Sequence, residues 1–545
     1  MTTKIFPVLT YADVQKINWF VADTIRDKGF AESSQYKLLA LPIISLKRFL
    51  DMREEFKKDE IFTSFEYEME NNSLTAALLA KMARHPAYAV PLDKLEWYDV
   101  EWSDIVKYTD NPDRNEIEYK LSNEIIKTRS VDKIEFLFEV IESFSNSKIS
   151  GYFESTEFTR ISKKYLPNEA FTEIVNELDK YKLDLKHAEE DVFADAYMYL
   201  TGKFAEDEGK KGGEFHTPSN LVENCIKLMP PKLKNNKAIR IADLTSGACT
   251  LMTSAAKEIE KNIIGDSSKK KKYINSSVEF ITQEKNESAC RLGEMNMLFH
   301  GYENHKSLKG NTITNWKNGY IGDHESNIDS VYANPPYGLK DYGFEYAKTN
   351  ATKENRWSFG VPSKSDGEYA FLLSAINLLT IDGQALIIMP LGTLFKDSTQ
   401  AIRKRLIEND LVEGIIELPE KMFLTTGIPV CLWLINMDKE TKDKNKIFMI
   451  NASAEFIRNG KFNVWNAEKT INIYHNRTEE EFFSRYITSE NLIESNYNLD
   501  VSKLIRKNNK KDIINIDELN SEIENLLENF ILSREELKSL FEGKA

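Results

Sequence analysis

The 545-residue chain is 41% hydrophobic and 29% charged with a formal net charge of -14, which predicts a soluble globular protein of two or three domains. The acidic balance excludes a surface that grips nucleic acid all over, because neutralising phosphates takes concentrated Lys and Arg; any DNA contact needs a local patch or a partner's. Apolar runs such as ALIIMPL (385–391) are far too short to span a membrane, and the start MTTKIFPVLTYADVQ has no signal-peptide pattern, so a cytoplasmic protein with no membrane partner is expected.

In chain order, residues 1–180 show helical periodicity with few strand signals, as in YKLLALPIISLKRFLDMREEF (36–56), and predict an N-terminal helical domain. Within it PDRNEIEYK (112–120) superficially has a nuclease's acid and lysine set, but Asp113 and Glu118 lie close together in what reads as a loop followed by a helix, a chance match. From 181 to 475 helical stretches alternate with short apolar strands: AIRIADL (238–244), VEFITQE (278–284), DSVYANP (329–335), QALIIMP (384–390) and LVEGIIEL (411–418). Strands separated by helix-length connections predict a parallel, doubly wound α/β sheet. The dense basic run SSKKKKY (267–273) reads as a solvated insertion before the second strand. From 476 to 545 the helical pattern returns, and Ile516, Leu519, Ile523, Leu526, Phe530, Leu537 and Leu540 form a short seam suited to another helix. Cys225, Cys249, Cys290 and Cys431 are mutually remote, and the seven histidines form no H-E-x-x-H, so neither a disulfide framework nor a metal site is expected.

In such a sheet the ligand crevice lies beyond the carboxyl ends of the strands, where the strand order switches direction. The first strand runs into ADLTSGACTLMTSAAKEI (242–259): an acid, Asp243, then a small-residue loop of Thr245, Ser246 and Gly247, then a helix whose free N–H groups suit an anion such as a carboxylate. The second strand ends at Glu284, an acid placed for ribose hydroxyls or, equally, an ordinary helix N-terminal acid. The third ends in Asn334-Pro335-Pro336-Tyr337, where two prolines stop the ladder and hold a rigid extended turn. The Asn334 side-chain oxygen and the Pro335 carbonyl are two acceptors, enough to take both N–H bonds of an exocyclic base amine and localise its lone pair toward a methyl donor. Tyr337 can stack on a base swung out of a duplex. The same four residues serve equally well as a loop-initiating Asn-Pro turn, and alone they do not separate the two readings.

Together these segments resemble the modification (M) subunit of type I restriction-modification systems, an S-adenosylmethionine-dependent DNA adenine-N6 methyltransferase. DAYMYLTGKFAEDEGKKGGEFHTPSNLVENCIKLM (195–229) is similar to the family's lead-in, whose G-E-F-aromatic-T-P segment helps to hold the cofactor; here Gly213, Glu214, Phe215, Thr217 and Pro218 match and His216 replaces the aromatic residue. EYAFLLSAINLLTIDGQALIIMPLGTLF (368–395) and LVEGIIELPEKMFLTTGIPVCLWLINMDK (411–439) resemble the later strands and the target-base side, and ESNYNLDVSKLI (494–505) the post-domain segment. The resemblance implies a Rossmann-like methyltransferase sheet at 181–475 with a helical tail for assembly at 476–545. It further implies Asn334, Pro335, Pro336 and Tyr337 at the target amine, Glu284 on ribose, Asn311 near the cofactor adenine where relatives commonly have an acid, and the 243–249 loop around the methionine half. Its expected partners are a specificity (S) subunit that chooses the site, a restriction (R) subunit, a second copy of this chain and double-stranded DNA. The first loop departs from the family's D-P-x-x-G-S-G: Ala248 and Cys249 replace its last two residues, which predicts a side chain where backbone normally approaches the cofactor. Two alternatives stay open, a scaffold that binds no cofactor and a methyltransferase acting on a protein glutamine.

Overall fold

Helix α1 (Tyr11–Lys28) buries Val14, Ile17, Val21 and Ile25, one stripe at helical spacing. In this computed structural model α2 (Ser33–Asp51), α3 (Asn168–Leu178) and α4 (Glu190–Asp207) pack around it. The structure describes residues 6–28, 33–51, 117–121, 124–128, 166–207 and 217–506, apart from 185, 189, 235–236, 424–426 and 460–461, together with single positions between 520 and 534. Strands β1 (Ile117–Leu121) and β2 (Glu124–Thr128) pair antiparallel. This corrects the helix expected after 112: IEYKL alternates apolar and charged residues at period two, the strand signature.

The amino-terminal half of α4 keys the helical region onto the rest of the chain. Phe193 and Tyr197 set their rings edge-on to Phe299 at 4.9 and 5.1 Å, and Asp195 pairs with Lys257 at 2.9 Å.

The main sheet comprises β3 (Ile239–Asp243), β4 (Val278–Glu284), β5 (His305–Lys309), β6 (Ile328–Ala333), β7 (Leu379–Pro390), β8 (Val412–Glu417), β9 (Val430–Asn436), β10 (Lys446–Asn451) and β13 (Ser484–Thr488), in the order β13-β10-β8-β9-β7-β6-β3-β4-β5. A small hairpin, β11 (Phe456–Asn459) with β12 (Phe462–Trp465), stands apart. All five expected strands are present, and helices cover the sheet as a doubly wound α/β fold requires. The sheet is mixed and not wholly parallel. Strand β9 runs antiparallel to both β7 and β8, and β13 runs antiparallel to β10. The reversal of β9 goes with its connection: the described residues between β8 and β9, within 418–429, form no helix, and the chain turns back beside β8.

Residues beyond 475 remain in this unit as far as Arg506. Ile487, Leu492, Leu499, Val501 and Leu504 join the core, Leu499 N–H bonds the Leu394 carbonyl at 2.9 Å, and buried Arg403 donates to the Tyr497 carbonyl at 2.9 Å. The expected boundary at 475 therefore cuts through packed core. The basic run is also more ordered than an insertion: it opens the helix Ser267–Ser277, whose cap Asp266 accepts from Lys269 N–H, and Lys271 is buried over the Tyr302 ring and paired with Glu260 at 3.0 Å. Among the described residues no helix is long and apolar enough to cross a membrane.

Candidate active site

Strand order runs outward from β3 through β4 to β5 on one side and from β6 to β7 on the other, so β3 and β6 flank the switch point. Their carboxyl ends, with that of β4, deliver Asp243, Asn334 and Glu284 to one cleft of ≈ 700 Å³. Thr217, Thr245, Ser246, Gly247, Asn311, Pro335, Pro336 and Tyr337 line the same cleft. Pro218 lies just outside it as the cap of helix Ser219–Leu228. Gly213, Glu214 and Phe215 fall outside the described residues.

The loop after β3 is held by carboxylates. Thr245 N–H donates to Asp243 Oδ1 at 2.9 Å, and Glu284 accepts from Gly247 N–H at 3.0 Å and from Asn286 N–H at 2.7 Å. Gly247 sits at φ 49, the left-handed region open to glycine. Burial pushes the Asp243 carboxyl up to about 8, against the pull of the Thr245 N–H and helped by the Glu284 charge. Among the described residues no cation pairs with Asp243.

Cys249 does not crowd the cleft. It too is left-handed, at φ 58, and this turn sends its thiol into the core: a Cβ placed on Gly293 would meet Cys249 Sγ at 2.5 Å and the Gly247 carbonyl at 2.9 Å. Neither Ala248 nor Cys249 lines the cleft. The family's second glycine thus corresponds to a backbone conformation that this chain adopts with a cysteine, at a strain cost of roughly 1–2 kcal/mol.

Asn311 spends its side-chain oxygen on its own turn, accepting from Ile313 N–H at 2.9 Å and Thr314 N–H at 3.3 Å. Next to it, the buried Thr312 hydroxyl donates to the Leu244 carbonyl and ties this turn to the β3 loop.

The Asn334 carboxamide is fixed from two directions. Its Nδ2 donates to Thr217 Oγ1 at 3.1 Å, so Oδ1 is the atom left to face the cleft, and there it accepts from the Tyr337 hydroxyl. The Tyr337 ring meets Phe423 edge-on, with centroids 6.0 Å apart at 85°. Phe371, Phe423 and Ile428 form apolar wall that no motif announced, although Phe423 and Ile428 lie inside the segment similar to the family's target-base side. Among the described residues no cluster of His, Cys, Asp or Glu could hold a metal ion.

The fold is a Rossmann-like methyltransferase sheet, with acids at the tips of β3 and β4, an Asn-Pro-Pro-Tyr turn after β6 and a reversed strand between β7 and β8. The chain belongs to the N-6 DNA methylase family, whose model matches residues 188–513, and it is a DNA methyltransferase. It is 28% identical over 412 residues to the type I restriction enzyme MpnII methylase subunit of Mycoplasma pneumoniae, a match covering 73% of each chain. To the MjaIX methylase subunit of Methanocaldococcus jannaschii it is 26% identical over 489 residues, 88% of this chain and 76% of that one. The solved type I methyltransferase subunit from Streptococcus thermophilus has the same fold, with a TM-score of 0.68 at 24% identity, over 90% of this chain and 99% of that one.

Proposed function

We propose that this chain is the modification subunit of a type I restriction-modification system, acting in the cytoplasm and methylating N6 of adenine in double-stranded DNA with S-adenosylmethionine as donor. The observation that carries the reading is the shared cleft, in which the Asn334 acceptor and the acids Asp243 and Glu284 converge from three adjacent strands.

The residues fit such a cofactor. Asp243 is a buried carboxyl that pairs with no cation among the described residues, and the methionine ammonium would supply one. Each Glu284 oxygen accepts one backbone N–H and retains a lone pair for ribose hydroxyls. Thr217 and the Asp243 to Gly247 loop would hold the methionine half, the role the resemblance also implies for Gly213, Glu214, Phe215 and Pro218, and Asn311 and Thr312 would meet the cofactor adenine. When bound, the cofactor supplies an electrophilic sulfonium methyl group.

The chain's own residues prepare the amine. Asn334 Oδ1 and the Pro335 carbonyl accept its two hydrogens and draw the nitrogen lone pair out of conjugation with the ring. Tyr337 offers its ring face to the extruded base, with Phe423 set edge-on against that ring as support. The extra proton leaves after methyl transfer, so no side chain need remove it beforehand.

A titration calorimeter distinguishes the enzyme from the cofactor-free scaffold: the assembled complex is expected to bind S-adenosylmethionine, and the Cys249→Gly complex to bind it with unchanged affinity, because the thiol faces Gly293. No binding to wild type would restore the scaffold. Tighter binding by the glycine variant would show that Cys249 obstructs the cofactor after all.

Target choice belongs to a specificity subunit, since a chain of net charge -14 is poorly suited to gripping duplex alone. In the tail, Ile523, Leu526 and Phe530 lie at helical spacing and are exposed, which suits docking on a helix of that subunit; Ile516, Leu519, Leu537 and Leu540 of the same seam lie outside the described residues. Two copies of this chain would join one specificity subunit, and a restriction subunit would add cleavage. Deleting residues 510–545 is expected to abolish co-purification with the specificity subunit and leave thermal melting of the sheet domain unchanged. Normal assembly of the truncated chain would remove the tail from the interface.

A further inference from the structure

Directly after the Asn-Pro-Pro-Tyr turn, a buried carboxylate has one hydrogen bond unmade. Glu368, in the first turn of helix Gly367–Leu378, is only 3% exposed. Its Oε1 accepts from the N–H of Gly338, the residue following Tyr337, at 2.8 Å, and Gly338 is held at φ 63. Its Oε2 is buried with no hydrogen-bond partner, and no cation pairs with it among the described residues. Phe371, three residues on and therefore on the same helix face, lines the cleft.

Two ordinary roles explain only part of this. An acid in a helix's first turn interacts well with the helix dipole, but it does so at the surface without desolvation. A clamp on Gly338 N–H needs a single acceptor, and a glutamine would provide it. Neither role calls for a full negative charge in a poorly solvated place, where leaving an acceptor unmade is costly.

We infer that Glu368 is a positioning residue with an electrostatic part in the reaction: it fixes the exit of the turn through Gly338, and its uncompensated charge favours the state in which the amine nitrogen turns cationic. The inference rests on the methyl-transfer reading above. A fixed charge in a low-dielectric setting stabilises opposite charge that develops nearby and needs no reorganisation to do so.

The test is Glu368→Gln in the complex assembled with its specificity subunit. Glutamine keeps an oxygen for Gly338 N–H at nearly the same volume and removes the charge. Single-turnover methyl transfer is expected to fall on the order of tenfold, less than the roughly 10²- to 10³-fold typical of a group placed directly on the reacting atoms. KM for DNA, cofactor affinity and melting temperature should hold. The split between kcat and KM gives the readout that a structural clamp would not move: a loss confined to kcat marks the missing charge and not a displaced turn. Wild-type turnover in Glu368→Gln beside a crippled Asn334→Ala complex overturns the role of Glu368 alone. A loss that comes with lowered melting temperature and raised KM overturns it too, as simple misfolding of the turn. If Asn334→Ala is itself unimpaired, the methyl-transfer reading falls and this inference with it.

Discussion

Replacing Asn334 by alanine is expected to slow methyl transfer by about 10²- to 10³-fold, the usual loss when one preorganised partner of a developing charge is removed. The acceptor matters little in the ground state, where the amine is planar and its lone pair belongs to the ring. It matters most as the nitrogen becomes tetrahedral and positive, so the loss should fall on kcat and spare KM. The rest of the turn should survive. Pro335 and Pro336 set the backbone without help from the carboxamide, Pro335 is buried, and Glu368 still holds Gly338. What the variant gives up locally is one bond to Thr217 and one from Tyr337, both partly buried and within reach of water. Cofactor affinity, set by the β3 and β4 tips, should be unchanged by calorimetry. The measurement is methyl transfer by the assembled complex to its own target DNA, with folding followed by thermal melting. Turnover near wild type would reduce the quartet to a structural Asn-Pro turn.

Much of the fold could be read from the chain because a strand buried on both faces is an unbroken apolar run. All six residues of β6 are buried, and the segment was recognisable at once. The same property hides direction: β9 is buried along all seven residues, yet nothing in VCLWLIN says that it runs backwards, which depends on the short loop before it. At the sheet edge the signal fails altogether. Strand β5 is HKSLK, with Leu308 its one buried residue, and hydrogen bonds to β4 make it a strand more than its side chains do.

The site was legible where chemistry sits on strand tips, since Asp243, Glu284 and Asn334 are each fixed by the strand that ends there. It was illegible where a backbone angle decides. The sequence shows a cysteine in place of glycine, and only φ 58 at that residue shows the thiol leaving the cleft. It was equally illegible where tertiary packing brings in a side chain with no local motif, as with Phe423 against Tyr337 and Glu368 beneath Gly338.

Truncating Tyr337 and removing only its hydroxyl should have opposite consequences. Tyr337→Ala deletes the ring that faces the base, and a base stacked on an aromatic side chain is worth roughly 1–3 kcal/mol. That range corresponds to about 5- to 150-fold weaker retention of the extruded adenine. It also strips Phe423 of its edge-to-face neighbour, so the adjoining apolar wall loosens as well. With 2-aminopurine at the target position, the fluorescence rise on extrusion should be largely lost. Tyr337→Phe keeps the ring and is expected to keep kcat. Its effect on binding follows from the hydroxyl's present partner, which is the Asn334 oxygen that the adenine amine must reach. An incoming amine has to displace that bond, whose net worth is about 0.5–1.5 kcal/mol. Without the hydroxyl the acceptor is held only by exchangeable water, so KM for DNA should be equal to wild type or lower. A fall of Tyr337→Phe turnover to the level of Tyr337→Ala would mean that the hydroxyl itself takes part in the transfer and that stacking is not the residue's main contribution.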